Sequence, residues 1–110
     1  MSPKDKPLVW LHGEVKTPPL SPAARLEAGY LLQRLQRGEI LAMPQLRPMP
    51  EVGPSCQELR IQDEETTWRV MLRIDPDAIV ILEVFGKKTR ATPHQVIETC
   101  RRRLRSYDNA

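Results

Sequence analysis

The stretch with the clearest potential for chemistry is residues 85–95, FGKKTRATPHQ, where an apolar run ends in a cluster of basic residues. Lys87, Lys88 and Arg90 lie between a predicted strand and the start of a predicted helix. The N-terminus of a helix presents free backbone N–H groups that favour anions. A phosphate at this point would therefore meet both the helix end and the cations, so the cluster predicts contact with a polyanion.

Positive charge is concentrated in the last quarter of the chain. Seven basic residues and one acid, Glu98, lie between Gly86 and Arg105, a net charge of +6, whereas the whole chain carries +3. A basic end on a near-neutral body suits nucleic acid or an acidic protein surface. A solvated helix face accounts for the same charges equally well, and charge alone does not separate these interpretations.

Three segments rich in strand-forming residues follow one another in the second half of the chain. They are CQELRI (56–61), TWRVMLRI (67–74) and AIVILEVF (78–85). The links between them are short and carry turn-forming residues, which predicts an antiparallel meander. The third segment has apolar residues on both of its faces, as expected for a strand that is covered on both sides or central in the sheet.

Alternation along these strands predicts one apolar face and one polar face. The polar face is expected to hold Arg60, Arg69, Arg73 and Glu83, with Lys87 and Lys88 at its edge. In the third segment, Ile79, Ile81 and Phe85 are expected beside the arginines, and Val80, Leu82 and Val84 on the apolar face. Several cations around one acid form a potential phosphate clamp. The same residues also fit a solvated sheet surface on which arginines pair with Glu83, an arrangement that contributes ~0–1 kcal/mol.

The first half of the chain predicts a tail, a strand and a helix. Residues 1–7 are expected to be a disordered tail, and LVWLHGEV (8–15) a first strand. Ser21 and Pro22 provide an N-cap and a first-turn proline for a helix that ends before Gly38. Residues 39–54 contain four prolines and no sustained period, which predicts an irregular crossover.

A second helix is predicted near the C-terminus. Thr92 and Gln95 have the spacing of a capping box, with Thr92 as the N-cap. An apolar stripe follows at helical spacing, while arginines fill the other face. The stripe consists of Ile97, Cys100, Leu104 and Tyr107.

Composition predicts one domain, residues 8–110, without a metal or cofactor. The chain has 110 residues, of which 40% are hydrophobic and 28% charged, which is typical of a globular protein. No apolar run approaches the ~18 residues of a membrane span, and the first residues do not form a signal peptide, so we expect a cytoplasmic protein. Cys56 and Cys100 are expected to be buried thiols. With only His12 and His94 available, a dedicated metal site is not expected.

Four short motifs occur in a characteristic order: ELR (58–60), WRV (68–70), FGKKT (85–89) and TP (92–93). Upstream of them is LSPAARLEAGYLLQRLQRGEILAMPQLRPM. Together these segments resemble the phage-derived branch of the RelE/HigB-like toxin family of bacterial type II toxin–antitoxin pairs, from Leu8 to Tyr107. The resemblance implies a RelE-like α+β fold in which helices pack on one face of a small antiparallel sheet.

The same resemblance implies an mRNA interferase, which is a metal-independent endonuclease acting on mRNA at the ribosome and neutralised by a helix-turn-helix antitoxin. Arg60 and Arg69 would hold the scissile phosphate, and Lys87 would stabilise developing charge or the leaving oxygen. Flanking phosphates are assigned to Lys88, Arg73, Arg90 and Arg102. The candidates for an acid, a base or an orienting group are Glu83 and Tyr107.

The chain departs from the family pattern at two points, and these leave other functions open. Gln57 stands where an aromatic residue often precedes the ELR motif, and no histidine accompanies the basic motifs on the strands. The general base is therefore unassigned. One alternative is a non-catalytic, phage-derived nucleic-acid-binding module. Another is an interaction protein whose basic face docks an acidic partner.

Overall fold

The computed structural model describes residues 5–11, 20–64, 66–87 and 92–110, and these form a five-stranded sheet with two helices. The elements in chain order are β1 (Leu8–Trp10), α1 (Pro22–Gln36), β2 (Leu46–Pro48), β3 (Cys56–Gln62), β4 (Thr67–Ile74), β5 (Ile79–Lys87) and α2 (His94–Asp108). The strands are arranged in the order β1-β5-β4-β3-β2. The predicted α+β class is confirmed. No helix within the described ranges is long and apolar enough to cross a membrane.

The centre of the sheet is the predicted meander of β3, β4 and β5. Each pair is antiparallel, and backbone hydrogen bonds close the two links, from Asp63 N–H to Thr66 O and from Asp75 N–H to Ala78 O, both at 2.9 Å. The edge strands are short. β2 lies antiparallel to β3 inside the segment predicted to be irregular, whereas β1 lies parallel to β5 and makes the sheet mixed. The first three residues of the predicted first strand form β1, Leu11 does not belong to it, and the last four predicted residues, 12–15, lie outside the described residues.

Helix α1 begins and ends where the sequence predicts. The hydroxyl of Ser21 accepts a hydrogen bond from the backbone N–H of Ala24 at 3.1 Å, which satisfies one of the free donors of the first turn. Pro22 occupies the first helical position. Gly38 follows the helix with φ of 87°, a left-handed conformation that glycine adopts without strain.

The two helices pack on opposite faces of the sheet. Buried residues of α1 share a core with Leu59 and Val70, whereas α2 shares a second core with Met71 and Val80. Successive residues of β4 and β5 alternate between these cores, which explains why β5 is apolar on both faces. The expectation that both helices lie on one face is therefore corrected. The apolar stripe of α2 needs a surface to cover, and it covers the face that was predicted to be polar.

A β-bulge in β5 reverses part of the predicted facing. Leu72 is opposite Ile81 and Met71 is opposite Glu83, so Leu82 has no partner of its own on β4. Before the bulge, Ile79 and Ile81 therefore lie in the α1 core, not beside the arginines as predicted. Beyond the bulge, the predicted sides are correct: Val84 packs on the α1 side and Phe85 on the α2 side. An unpaired residue changes which face each later side chain occupies.

Helix α2 has the predicted apolar stripe but not the predicted cap. Cys100 and Leu104 are buried, and Ile97 and Tyr107 pack against the same core. The N-cap residue is Pro93, without a side-chain cap hydrogen bond. The capping box is therefore wrong, because the hydroxyl of Thr92 donates instead to Oε2 of Glu58 at 3.0 Å. A buried carboxylate is the stronger acceptor for that hydroxyl.

Candidate phosphate-binding site

The three residues predicted to be catalytic occupy one corner of the sheet, where β3 ends, β4 begins and β5 ends. Arg60 is directly opposite Arg69 in the pairing of β3 with β4. On the other side of β4, Arg69 is opposite Phe85, and Lys87 is opposite Thr67. Directly opposed residues have Cβ atoms about 4.5–5.5 Å apart. The register therefore makes the two arginines close neighbours and puts Lys87 one strand from Arg69. This part of the sheet, with Arg60, Arg69 and Lys87, is called the arginine corner below.

Arg69 is buried, although the sequence predicted it on a face open to a substrate. Its residue is 3% exposed, and Glu58 is 0% exposed. Nη1 of Arg69 donates to Oε1 of Glu58 at 2.6 Å. Because α2 covers this face, the guanidinium lies in the interior, where a charge is tolerated only when it is paired and hydrogen-bonded. Arg69 is thus a fixed, compensated charge behind the surface of the corner.

Glu58 is the centre of a buried polar network that joins three strands to the start of α2. Besides Arg69, its carboxylate accepts from Thr92 and lies 3.8 Å from Nη2 of Arg47 on β2. The Nε atoms of Arg47 and Arg69 are buried and make no hydrogen bond within the described residues. Alternation placed Glu58 on the face of Arg60, but sequence reasoning assigned it no role. It missed Arg47 altogether, because β2 lies in a segment without a strand period.

Arg60 is the arginine of the corner that an external ligand can reach. The residue is half-buried, and its side chain makes no hydrogen bond or ion pair with the described residues. It lines a groove of about 890 Å³ between the start of α1 and the end of β3, together with Asp63 and with the other carboxylates Glu27 and Glu64. An unpaired guanidinium keeps its planar fork of donors available for two oxygens of one phosphate.

Asp63 fixes one wall of this groove. Its carboxylate accepts hydrogen bonds from the backbone N–H of Ser21 at 3.1 Å, from the Ser21 hydroxyl at 2.8 Å and from Nε1 of Trp68 at 3.1 Å. These bonds, chiefly those from Ser21, lower the pKa of Asp63 to about 2. The turn after β3 is thereby attached to the first residue before α1, so the shape of the groove depends on Asp63.

Arg73 and Tyr107 lie at the opposite end of the meander. Four hydrogen bonds of 2.7–3.0 Å connect the guanidinium of Arg73 to Asp75 and Asp108. The guanidinium carbon also lies 5.9 Å from the centre of the Tyr107 ring. The bonds to Asp108 and Asp75 raise the pKa of Arg73 further above its usual value, and Arg73 lowers the pKa of Asp108. Four of its five N–H donors are thus used by two carboxylates, and the geometry assigns Arg73 to holding the end of α2 rather than to a phosphate clamp.

Glu83 and Arg102 lie on the β5 side of α2. Oε2 of Glu83 is 3.3 Å from Nη1 of Arg103, which also donates to the backbone carbonyl of Leu82 at 2.6 Å. Arg102 is exposed and shares a groove of about 450 Å³ with Glu83. Three strand residues lie between Glu83 and Lys87, a step of about 13 Å along β5. Glu83 is opposite Met71, two positions along β4 from Arg69, but its carboxylate is paired with Arg103 and is therefore not free at the arginine corner.

The remaining predicted phosphate-binding residues, Lys88 and Arg90, lie outside the described residues. The structure describes the positions on either side of them. Lys87 ends β5 in the ladder with β4, and Thr92 is held by Glu58. The described residues on either side of the basic segment therefore lie at the arginine corner and at the buried network.

The cysteines are buried free thiols, as predicted. Burial raises the pKa of Cys56 to about 11 and that of Cys100 to about 12. Thiols in this state are poor nucleophiles and poor metal ligands at neutral pH. Within the described residues, no group of three or more His, Cys, Asp or Glu side chains is arranged to hold a metal ion.

Comparison with known proteins assigns most of the chain to a family. No curated protein matches the chain. A family model described as phage derived protein Gp49-like (DUF891) matches residues 19–105. The match spans α1, the whole sheet except β1, and most of α2, and it includes Arg60, Arg69 and Glu58. The chain therefore belongs to the Gp49-like family of phage-derived proteins.

Proposed function

We propose that the protein is the toxin of a type II toxin–antitoxin pair and acts as a metal-independent endonuclease on mRNA, at the ribosome in the cytoplasm. The observation that carries this proposal is the arginine corner. Arg60 is unpaired among the described residues and accessible, and it lies directly opposite the buried Arg69. The basic segment 87–90 begins at the end of β5, one strand from Arg69 and two strands from Arg60. Cations concentrated at one point suit a reaction in which a phosphate gains charge.

The proposed reaction is transesterification by the 2′-hydroxyl of the RNA. Its oxygen attacks the adjacent phosphorus, and its proton passes to a base. The bond from phosphorus to the 5′-oxygen breaks, and that oxygen takes up a proton. The products are a 2′,3′-cyclic phosphate and a 5′-hydroxyl. The transition state carries one more negative charge on the phosphate oxygens than the bound RNA does, so fixed cations stabilise it selectively.

The residues of the corner take different parts in this scheme. Arg60 contacts the phosphate with its free guanidinium, and Lys87 donates to developing charge or to the leaving oxygen. Arg69 supports the site as a buried positive charge behind Arg60. Lys88, Arg90 and Arg102 contact flanking phosphates. Glu83 and Tyr107 stay the predicted candidates for an acid, a base or an orienting group, although Glu83 is paired with Arg103 and Tyr107 lies beside Arg73.

Expression without a partner tests the toxin proposal. We expect arrested growth and translation, and we expect co-expression of a helix-turn-helix protein encoded by the adjacent gene to restore growth. The matched variants are Arg60→Ala, which should relieve the arrest, and Arg37→Ala, which removes an exposed arginine at the far end of α1 and should not. Unimpaired growth with soluble parent protein would count against a toxin.

The second candidate is a nucleic-acid-binding module that does not cut. The pairing of Glu83 with Arg103 and the position of Tyr107 beside Arg73 favour it, because neither predicted acid or base is free beside Arg60. Such a module binds RNA with the same dependence on Arg60 and on salt, yet leaves the RNA intact. Incubating ribosome-bound mRNA with the parent protein and mapping new 5′-hydroxyl ends separates the two candidates.

A further inference from the structure

The side chain in the protein interior that most needs a functional explanation is Glu58. It is 0% exposed, and a buried carboxylate costs several kcal/mol unless partners compensate it. Its two oxygens are used differently. Oε1 accepts from Arg69 at 2.6 Å and lies 3.8 Å from Arg47, whereas Oε2 accepts from the Thr92 hydroxyl at 3.0 Å. One carboxylate thus connects β2, β3, β4 and the residue preceding Pro93 and α2.

The first consequence concerns the two arginines of the corner. Like charges directly opposite each other in a sheet are destabilising. Glu58 compensates Arg69, so Arg60 can lie opposite Arg69 without a carboxylate of its own. The contact uses Nη1 of Arg69, which holds the guanidinium in place, while Nε stays unbonded within the described residues. Glu58 therefore sets both the position and the charge of the group behind Arg60.

The second consequence concerns the start of α2. The hydroxyl of Thr92, which immediately precedes the N-cap residue Pro93, donates to Glu58. This hydrogen bond links residues 34 positions apart. It attaches the beginning of α2 to the same carboxylate that holds Arg69. The buried charge of Arg69 and the helix that covers it are therefore fixed relative to each other by one side chain.

We propose that Glu58 is a positioning residue of the RNA site, which holds Arg69 behind Arg60 and, through Thr92, fixes the start of α2 beside them. The inference rests on the proposed function. In this role Glu58 contacts no RNA. Its effect is on the geometry of the cations in the transition state, so loss of the Thr92 contact should slow the chemical step more than it weakens RNA binding.

The test uses Thr92, because replacing Glu58 would leave Arg69 uncompensated and would endanger folding. Thr92→Val keeps the shape of the side chain and removes the donor, whereas Thr92→Ser restores the hydroxyl. Thr99→Val is the matched control, the same change on α2 at a side chain outside the network. We expect Thr92→Val to reduce the single-turnover cleavage rate at saturating RNA about tenfold, in line with one hydrogen bond to a charged group. Thr92→Ser and Thr99→Val should remain within about twofold of the parent.

Three further results decide between the possible failures. If all four proteins bind RNA with similar affinity and salt dependence, the effect belongs to the chemical step, as the inference requires. If the parent cleaves and Thr92→Val cleaves equally fast, or if Thr92→Ser is as slow as Thr92→Val, the positioning role is refuted. The proposed function is not affected by either result. A parent that binds RNA but never cleaves it refutes the proposed function, and the inference falls with it.

Discussion

Replacing Arg69 by Met should destabilise the protein strongly, since it removes a short hydrogen bond between two buried, oppositely charged groups, Arg69 and Glu58. The two side chains are 4% and 0% exposed, and the charged atoms are 2.6 Å apart. Removing one member of a buried pair of this kind costs about 3–5 kcal/mol. The Thr92 hydroxyl and the more distant Arg47 remain, so we expect the lower half of that range. Against a typical stability of about 5–15 kcal/mol, this is a loss that denaturation measures easily.

The assay is urea unfolding followed by circular dichroism at neutral pH, with the free energy of unfolding extrapolated to water. The control is the double variant Glu58→Met/Arg69→Met, which removes both charges and leaves apolar side chains of similar length. Such replacements are often neutral or stabilising, so the double variant should be more stable than Arg69→Met alone. An Arg69→Met protein within about 1 kcal/mol of the parent would show that the pair is not buried as described, and the reasoning about Glu58 would fail.

Three other predictions follow from the contacts of individual residues. Asp63 has a folded-state pKa of about 2, below an unfolded value of about 3.9, so its contribution to stability is fully present above about pH 4 and is lost as the pH falls through about 2. The stability difference between the parent and Asp63→Ala, measured by urea unfolding, should therefore be greater at pH 6 than at pH 2. Arg73→Lys should lower the melting temperature and speed amide hydrogen exchange in the last turn of α2, because an ammonium group cannot reproduce four guanidinium bonds to two carboxylates; an unchanged exchange rate there would contradict the assigned role. RNA affinity should fall as salt is added, and the logarithm of the binding constant should decrease by about 0.7 per phosphate contact for each tenfold rise in salt concentration, as for a single strand. Arg60→Ala should make this slope shallower by about one contact. A binding constant of the parent that does not change with salt would contradict electrostatic binding.

Local signals in the sequence predict most of the secondary structure. Ser21, Pro22 and Gly38 mark the ends of α1, and the structure confirms each of them. The strands of the meander appear within two residues of their predicted limits because alternation and short turns are encoded by neighbouring residues. The apolar stripe of α2 is confirmed for the same reason.

Features that depend on contacts between distant segments of the chain are not predicted by these local signals. The bulge at Leu82 changes the facing of β5, yet no residue type marks it. The parallel pairing of β1 and the position of α2 on the arginine face are set by packing between segments far apart in the chain. The burial of Arg69 follows from that packing. Thr92 has the spacing of a helix cap, but its hydroxyl bonds to Glu58 because a buried carboxylate happens to lie within reach.

Single-turnover cleavage of mRNA on programmed ribosomes, with the parent and Arg60→Ala compared at equal occupancy, tests the central claim most directly. The account predicts that the parent produces new 5′-hydroxyl ends and that Arg60→Ala, at an unchanged melting temperature, cleaves about 10²–10³-fold more slowly. A parent that leaves the mRNA intact, or an Arg60→Ala variant that cleaves at the parental rate, would contradict it.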